Sequence, residues 1–414
     1  MAKPKLALIP CTQGYFLNSV LPSDGIGDFR FSRSGTATRI NSQGLIEEVG
    51  DGVSRLNYPM IDGVVKGCPH HILEPQRINL LPYSQDFSNA AWSKSNVTII
   101  SNSIISPDGS LNANELQVTS SGGNIYDNVG GSGDGVFSVF AKYKDVQYIR
   151  LRSTGSYAFF DIKNGVLGST INTIDTKIEK YPNGWYKCSV IGNNTNSLAQ
   201  IFVSSDNVNV GLGNVYLWGA DFQNGSYPTS YIPTNGTTVT RQAETANDSG
   251  DAATFNDSEG VLMAEVSALV NNGESRRISI SHSADDTSNR ITLEVDETTS
   301  TIKAFMSSGN VTVGSITVNN INQTNNNKIA LLYKENTFEM HINGFLLGSD
   351  YTIASLPIEL SRLQLEGANG SNDFYGKTKQ VQYYNSALTE SELSQLTSWT
   401  SFTDMAEGQL YTIE

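Results

Sequence analysis

Short runs in which apolar and polar residues alternate recur along this chain, and most of them end in a cluster of Gly, Asn, Pro or Asp. In residues 137–143, for example, Phe137, Val139 and Ala141 fall on one face, and Phe140 falls on the other, where it would line a groove. A period of two is that of a strand with one buried face. Clusters of these turn-forming residues connect such strands. The pattern therefore predicts an all-β protein.

The spacing of the runs predicts two tandem antiparallel β-sandwiches of the jelly-roll type. We place the first sandwich at 79–244, a linker at 245–254 and the second sandwich at 255–398. Residues 1–78 are Gly-rich and irregular, and we expect an extended N-terminal arm or a small β-subdomain used for attachment. Residues 399–414 form an acidic tail.

One hairpin and one helix have clear local signals in the second sandwich. Asn343 and Gly344 are the residue types that a type I′ turn requires. Thr389 followed three residues later by Glu392 is a capping box, which predicts one short C-terminal helix. Leu388 and Leu393 are spaced as the hydrophobic staple of that helix.

Composition excludes some functions. The 414 residues include 41 acidic and 27 basic side chains, giving a net charge of -14. A nucleic-acid partner would require a basic face, so none is expected. No apolar segment is long enough for membrane insertion. Cys11, Cys68 and Cys188 are too few and too scattered for a disulfide framework, and we expect them to be free.

The start of the chain does not match an export signal. Lys3 and Lys5 precede an apolar run that is too short, and Pro10 directly before Cys11 is a poor cleavage context. A protein with surface-type composition and no export signal has to leave the cell by another route. Lysis of a host cell that assembled it in its cytoplasm is such a route.

The second sandwich resembles the concanavalin A-like, laminin-G-like domains. The resemblance is carried by NKIALLYKENTFEMHINGFLLG (327–348), FYGKTKQVQYYNSAL (374–388) and TESELSQL (389–396). It covers about 140 residues. It implies a two-sheet sandwich closed by the capped helix.

The rest of the chain resembles a module found in tail, fibre and other virion proteins of tailed bacteriophages, which is similar to carbohydrate-binding modules. The carrying segments are FSRSGTATRINSQGLIEEV (31–49), LEPQRINLLPYSQDFSNAAW (73–92), GWYKCSV (184–190) and VYLWGADFQNGSYPTSYIPTNGTTVTRQAE (215–244). The sequence departs from this pattern at 68–71, where Cys-Pro-His-His replaces smaller or apolar residues. The resemblance implies a virion protein.

Binding of sugars requires aromatic rings beside hydrogen-bonding side chains. The candidates for a glycan site are Tyr126, Tyr148, Tyr157 and Arg150, which have polar neighbours such as Asn124 and Arg152. Trp185 and Trp218 lie inside the segments that carry the resemblance, and we expect both to be buried.

No cofactor is predicted, with calcium as the one alternative. Laminin-G-like domains often bind calcium through loop oxygens. Asp285, Asp286 and Asp373 are the candidate ligands, although Asp is also a common turn residue.

Two further sites, a catalytic carboxylate pair and a zinc site, have less support from the sequence. Glu294 and Asp296 have the spacing of paired carboxylates in a glycan depolymerase. The third carboxylate of that pattern is absent, and a strand face exposed to solvent is the favoured interpretation, with Ile291, Leu293 and Val295 buried. Cys68, His70 and His71 lack the fourth ligand that zinc requires.

The sequence thus favours a non-enzymatic structural component of a phage virion, from the tail, a fibre or the capsid decoration. Its expected partners are other virion proteins and host surface glycans, and a homo-oligomer such as a trimer is expected because virion appendages are symmetric. A glycan depolymerase and a secreted bacterial lectin or adhesin are the alternatives.

Overall fold

The computed structural model describes residues 3–10, 17–130, 133–153, 155–194, 198–207, 209, 211–283, 286–400 and 404. These residues are almost entirely strands and turns, with one short α-helix, so the predicted all-β class is confirmed.

The strands of the first 79 residues are short: β1 (Leu6–Leu8), β2 (Arg30–Ser32), β3 (Ala37–Ile40), β4 (Ile46–Val49), β5 (Arg55–Asn57), β6 (Met60–Ile61), β7 (Val64–Val65), β8 (His70–Ile72) and β9 (Arg77–Asn79). The next part contains β10 (Ser93–Ser95), β11 (Val97–Ile105), β12 (Leu111–Val118), β13 (Asn124–Asn128), β14 (Gly133–Tyr143), β15 (Tyr148–Ser153), β16 (Ser156–Asp161), β17 (Val166–Ile171), β18 (Asp175–Tyr181), β19 (Trp185–Asn194), β20 (Leu198–Ser204) and β21 (Asn214–Asn224). The last part contains β22 (Val239–Arg241), β23 (Thr245–Asn247), β24 (Glu259–Ala268), β25 (Arg276–Ser281), β26 (Arg290–Val295), β27 (Thr301–Ser308), β28 (Val311–Asn319), β29 (Asn327–Lys334), β30 (Thr337–Ile342), β31 (Phe345–Asp350), β32 (Arg362–Gln364), β33 (Gly376–Tyr384) and α1 (Glu390–Thr397).

Two six-stranded sheets form the first sandwich. Their strand orders are β10-β13-β20-β15-β16-β17 and β11-β12-β21-β14-β19-β18. Apolar side chains from both sheets fill the space between them, among them Phe137, Val139 and Ala141, as the alternation predicts. Because successive side chains point to opposite faces, each sheet also has an outer face.

The second sandwich has a five-stranded sheet, β28-β27-β26-β25-β32, and a larger sheet in the order β31-β30-β29-β24-β33-β8-β5. Strand β1 also pairs with β33, with Leu6 opposite Tyr383. Three strands of the larger sheet therefore come from the first 72 residues, and Leu6 and Leu8 are fully buried in the core of this sandwich.

Residues 1–78, expected to be an extended arm or a small β-subdomain, are instead divided between the two sandwiches. Strands β1, β5 and β8 extend the second sandwich, and Ile40 and Ile46 of β3 and β4 pack against the first. The segment 245–254, expected to be a linker, is also paired with other parts of the chain. Its strand β23 pairs with β2, and Ser249 bridges to Leu363. The signal was missed because strands of two to four residues are too short to show a period.

The predicted hairpin and helix are both confirmed. Asn343 and Gly344 have φ angles of 50° and 95°, as a type I′ turn needs. The Thr389 hydroxyl accepts a hydrogen bond from the Glu392 amide, and the Glu392 carboxylate accepts one from the Thr389 amide. Leu393 is fully buried against the outer face of the larger sheet. In the described part of the chain, no helix has the length and apolar character needed to cross a bilayer.

A second apolar cluster covers the outer face of the sheet that contains β14. Phe140, Trp185 and Trp218 are each 1% exposed and pack there with Tyr181 and Tyr231. Phe140 lies edge-on to Trp218, with ring centroids 5.3 Å apart. The expected burial of both tryptophans is confirmed, and Phe140 is closed over by the N-terminal strands and the segment after β21.

A buried ionic network joins the N-terminal strands to the segment that leads out of the first sandwich. Glu244 pairs with Arg33 at 2.8 Å and with Arg55, and Glu74 pairs with Arg55 at 2.8 Å and with Arg241 at 2.7 Å. These five side chains are between 0% and 3% exposed. Each of the five charged groups therefore has an oppositely charged partner inside the protein.

Hydrogen bonds complete the network. Ser230 donates to Glu74 through both its amide and its hydroxyl, and the Glu74 amide donates to Glu244. Burial alone would raise the pKa of Glu74, but Arg241 and Arg55 hold it well below its usual range. Glu74 thus remains ionised, and its charge is stabilised only in the folded arrangement.

The expectation that the cysteines are free holds for Cys188 but not for Cys68, and Cys11 lies outside the described residues. Cys68 is disulfide-bonded, so the prediction that it is free was wrong. Cys188 is free and fully buried, and burial raises the pKa of its thiol well above the usual value. Sequence spacing does not reveal which loops approach each other, and a disulfide depends on that approach.

We predict that Glu244→Gln lowers the free energy of unfolding by about 3–5 kcal/mol, because it removes the carboxylate that pairs with buried Arg33 and leaves Arg55 with Glu74 alone. Urea unfolding at neutral pH measures this loss. The matched control is Glu47→Gln. Glu47 pairs with Arg39 at 3.0 Å but is 41% exposed, and the expected loss is below about 1 kcal/mol. Equal losses would contradict a special role for the network.

A second prediction concerns pH. Burial raises the pKa of Asp221 from 3.8 to about 6, although Lys187 opposes this. The folded state binds this proton more tightly than the unfolded state, so the carboxyl costs stability as pH rises from about 4 to about 6. Asp221→Asn should match the parent at pH 4 and exceed it by about 1–3 kcal/mol at pH 8. A difference that is the same at both pH values would contradict this.

Candidate functional site

The predicted glycan residues lie together on the outer face of one sheet of the first sandwich. On β15, Ile149 and Leu151 point into the core, and Tyr148, Arg150 and Arg152 are partly exposed on the other side. We call the outer side of the sheet β10-β13-β20-β15-β16-β17 the aromatic face.

Strand register places the other members of this face. Arg150 is opposite Phe159 on β16 and Phe202 on β20. Arg152 is opposite Tyr157 and Gln200. Tyr126, on β13, is opposite Gln200. All four predicted residues, Tyr126, Tyr148, Tyr157 and Arg150, therefore share one surface, together with the neighbours Asn124 and Arg152.

Arg150 is held by aromatic rings. Its guanidinium carbon lies 3.8 Å from the centroid of Phe202, 5.2 Å from that of Tyr157 and 5.8 Å from that of Phe159. Burial lowers the pKa of Arg150, and Arg152 adds to this effect. Even so, an arginine stays charged at neutral pH. The rings thus fix the plane of a permanent cation.

The hydrogen-bonding capacity of Arg150 is unused. Its Nε is buried without a hydrogen-bond partner, and the guanidinium forms no ion pair with any described residue. Guanidinium groups bind planar carboxylates through two parallel hydrogen bonds. The aromatic face therefore combines stacking surfaces with a cation whose natural ligand is a carboxylate.

Polar groups surround this cation. Gln200 donates to Asn124 over 2.9 Å, and its own carbonyl oxygen is buried without a partner. Tyr148 donates to Asp161, and burial followed by Asp161 raises the pKa of Tyr148. The carbonyl oxygen of Gln200 is a free acceptor, as a sugar hydroxyl requires.

The sequence analysis did not select Phe202 and Gln200. The signal was present, because Ala199, Ile201 and Val203 alternate with them and are fully buried. Their importance depends on the pairing of β20 with β15. That pairing joins residues about 50 positions apart and has no local signature.

Two of the three calcium candidates, Asp286 and Asp373, lie among the described residues. Asp286 accepts the Ser288 amide at 2.7 Å, an arrangement typical of a turn. Asp373 accepts the Tyr375 hydroxyl at 2.9 Å, and burial raises its pKa. Asp285 lies outside the described residues. Within those residues, no group of three or more His, Cys, Asp or Glu side chains is arranged to hold a metal ion.

The paired carboxylates of the second sandwich are both engaged. Ile291, Leu293 and Val295 are buried as predicted, but Glu294 and Asp296 are only 5% and 3% exposed, so they are not on a solvated face. Glu294 pairs with Arg277 at 3.2 Å, and Asp296 pairs with Lys303 at 2.7 Å. Burial would raise the pKa of Asp296, but Lys303 and Thr298 hold it below its usual value. A general acid requires the opposite shift.

The Cys-Pro-His-His segment forms no metal site among the described residues. His70 and His71 lie in β8, between β5 and β33, and are 3% and 1% exposed. Cys68 is in a disulfide, so it has no thiolate to offer a metal.

Comparison with known proteins gives matches to solved structures but none by sequence. No protein-family model matches this sequence, and no curated protein does. Among solved structures, the carbohydrate-binding module CBM40 of the Ruminococcus gnavus IT-sialidase has 14% identity and a TM-score of 0.31, covering 36% of this chain and 92% of its own. The same module has been solved with α2,3-sialyllactose bound.

Two further structures are similar to about the same degree. A leech intramolecular trans-sialidase has 16% identity and a TM-score of 0.30, covering 36% of this chain and 24% of its own. A heptameric SAP-like pentraxin from Limulus polyphemus has 11% identity and a TM-score of 0.29, covering 35% and 71%. Similarities this low are no basis for a functional argument, so function has to be argued from the residues.

The position of Arg150 predicts that it contributes little to stability. Arg150→Met keeps a long side chain beside Phe202 and removes a partly buried charge that has no ion-pair partner among the described residues. We expect the free energy of unfolding to change by less than about 1 kcal/mol. Arg241→Met is the comparison variant, because Arg241 pairs with Glu74, and there we expect a loss of about 3–5 kcal/mol. Similar losses in urea unfolding would make Arg150 a structural residue.

Proposed function

We propose that this protein is a non-enzymatic structural component of a phage virion that binds host glycans through the aromatic face, with a preference for sugars that carry a carboxylate. One observation carries the glycan part: the guanidinium of Arg150 lies against three aromatic rings and pairs with no carboxylate among the described residues. Aromatic rings stack on pyranose faces, and the cation selects the acidic group.

The virion part is supported by the resemblance of residues 31–49, 73–92, 184–190 and 215–244 to a module of phage tail and fibre proteins. Three of these segments also have a role inside the chain, because they contain four residues of the buried ionic network: Arg33, Glu74, Arg241 and Glu244. Mass spectrometry of purified virions, after nuclease and protease treatment that removes loosely bound protein, tests this part. Detection at a fixed copy number per particle is expected.

A depolymerase is not favoured, because Glu294 and Asp296 are both neutralised by cations within the fold. We therefore assign no catalytic role to them.

The glycan part predicts tighter binding of an acidic sugar than of its neutral counterpart. Calorimetry of the full chain with 3′-sialyllactose and with lactose compares two ligands that differ by one carboxylate-bearing sugar. Arg150→Gln should weaken the binding of sialyllactose by about 10- to 100-fold, since a charge-assisted hydrogen bond contributes about 1.5–3 kcal/mol. Binding of lactose should change little.

Arg277→Gln is the matched control. Arg277 also lies over an aromatic ring, 5.3 Å from the centroid of Phe305, but it is already paired with Glu294. It should not affect either sugar. Equal affinity for the two sugars, or unchanged binding by the Arg150 variant, would contradict the assignment of this face.

A further inference from the structure

A recess lies where three parts of the chain meet: strand β18 of the first sandwich, the β6–β7 hairpin, and strand β33 of the second sandwich. It comprises three adjoining spaces of about 310, 480 and 150 Å³ that share lining residues. Lys377 lines all three, and His70 lines the two larger ones. We call this recess the interdomain cleft.

The cleft is rich in cations although the chain is acidic. Seven lysines line it, against five acidic residues, in a protein whose net charge is -14. Charges of one sign in a recess focus the local field and attract ligands of the opposite sign. The cleft is therefore a local exception to the charge of the whole molecule.

Most of these lysines have a partner. Lys177 pairs with Glu179 at 2.8 Å, and Lys379 pairs with Glu265 at 3.9 Å. Lys187 donates to the Thr229 carbonyl at 2.8 Å, and Lys328 donates to the Ser398 carbonyl at 3.1 Å.

Lys377 differs from them. Its ammonium forms no hydrogen bond or ion pair with the described residues. Burial lowers the pKa of Lys377, and Lys177 and Lys379 lower it further, although Glu179 opposes them. An anion placed beside Lys377 would relieve this repulsion and gain a charge-assisted hydrogen bond.

Neutral polar groups complete the lining. Burial, followed by Lys377 and Lys379, lowers the pKa of His70 well below its usual value, so its imidazole is neutral and lies 3.3 Å from the Asn57 amide. Asn164, Asn326 and Gln380 add further amides to the walls. Amides and a neutral imidazole hydrogen-bond with hydroxyls, since each offers both a donor and an acceptor.

We infer that the interdomain cleft is a second binding site, separate from the aromatic face, and that its ligand is an acidic oligosaccharide. A carboxylate of the ligand pairs with Lys377 at the point that all three spaces share. Hydroxyls of the neighbouring sugars bind His70 and the amides on either side. The inference does not depend on the aromatic face, which lies on the other sheet of the first sandwich.

The test is calorimetry of the full chain with hexagalacturonate, a linear sugar with one carboxylate per unit. Lys377→Gln should weaken its binding by about 10-fold or more. Lys334→Gln removes a lysine that does not line the cleft and should leave binding unchanged. Lys377→Gln should also remain folded, since it removes a charge under repulsion, and urea unfolding verifies this.

Variant and ligand controls separate this site from the aromatic face. In the Arg150→Gln variant, hexagalacturonate should still bind, and this binding should still be weakened by Lys377→Gln. This holds whether or not Arg150→Gln weakens the binding of sialyllactose. Maltohexaose, which has the hydroxyls without the carboxylates, should bind at least 10-fold more weakly. The inference is overturned if Lys377→Gln leaves the affinity unchanged, or if hexaglutamate binds as tightly as hexagalacturonate and depends equally on Lys377, which would make the ligand an acidic peptide.

Discussion

The buried pairing of Glu74 and Glu244 with Arg33, Arg55 and Arg241 is the interaction on which the arrangement of the chain depends. It connects the N-terminal strands, the start of the first sandwich and the segment that leaves it. A buried ion pair adds little net stability compared with apolar packing, but breaking one partner is costly. The network therefore penalises any arrangement in which these segments separate, and it fixes where the two sandwiches meet.

The interdomain cleft and the aromatic face both follow from that arrangement. The N-terminal strands β5 and β8 extend the larger sheet of the second sandwich toward the first, and the space left between them is lined by polar groups of both. The other sheet of the first sandwich, β10-β13-β20-β15-β16-β17, does not line the cleft. Its outer side is the aromatic face.

Arginine has two different roles in this protein. Arg55 and Arg241 are fully buried, with each charge paired to a carboxylate, whereas Arg150 lies on aromatic rings and pairs with no carboxylate among the described residues. Stability accounts for the first kind and not for the second. A charge that is desolvated without a partner in the chain is a cost to folding, and such costs are concentrated at binding sites.

The sequence by itself determined the all-β class, the Asn343-Gly344 turn, the capped helix after Thr389 and the shared face of Tyr148 and Arg150, because each depends on a period of two or on contacts between near neighbours. Only the tertiary structure decided that β1, β5 and β8 belong to the second sandwich, that Phe202 supports Arg150, that Cys68 is disulfide-bonded and that Lys377 lies between two domains. These facts depend on strand pairing and on contacts between residues far apart in the chain, and short strands have no local pattern that specifies their partners.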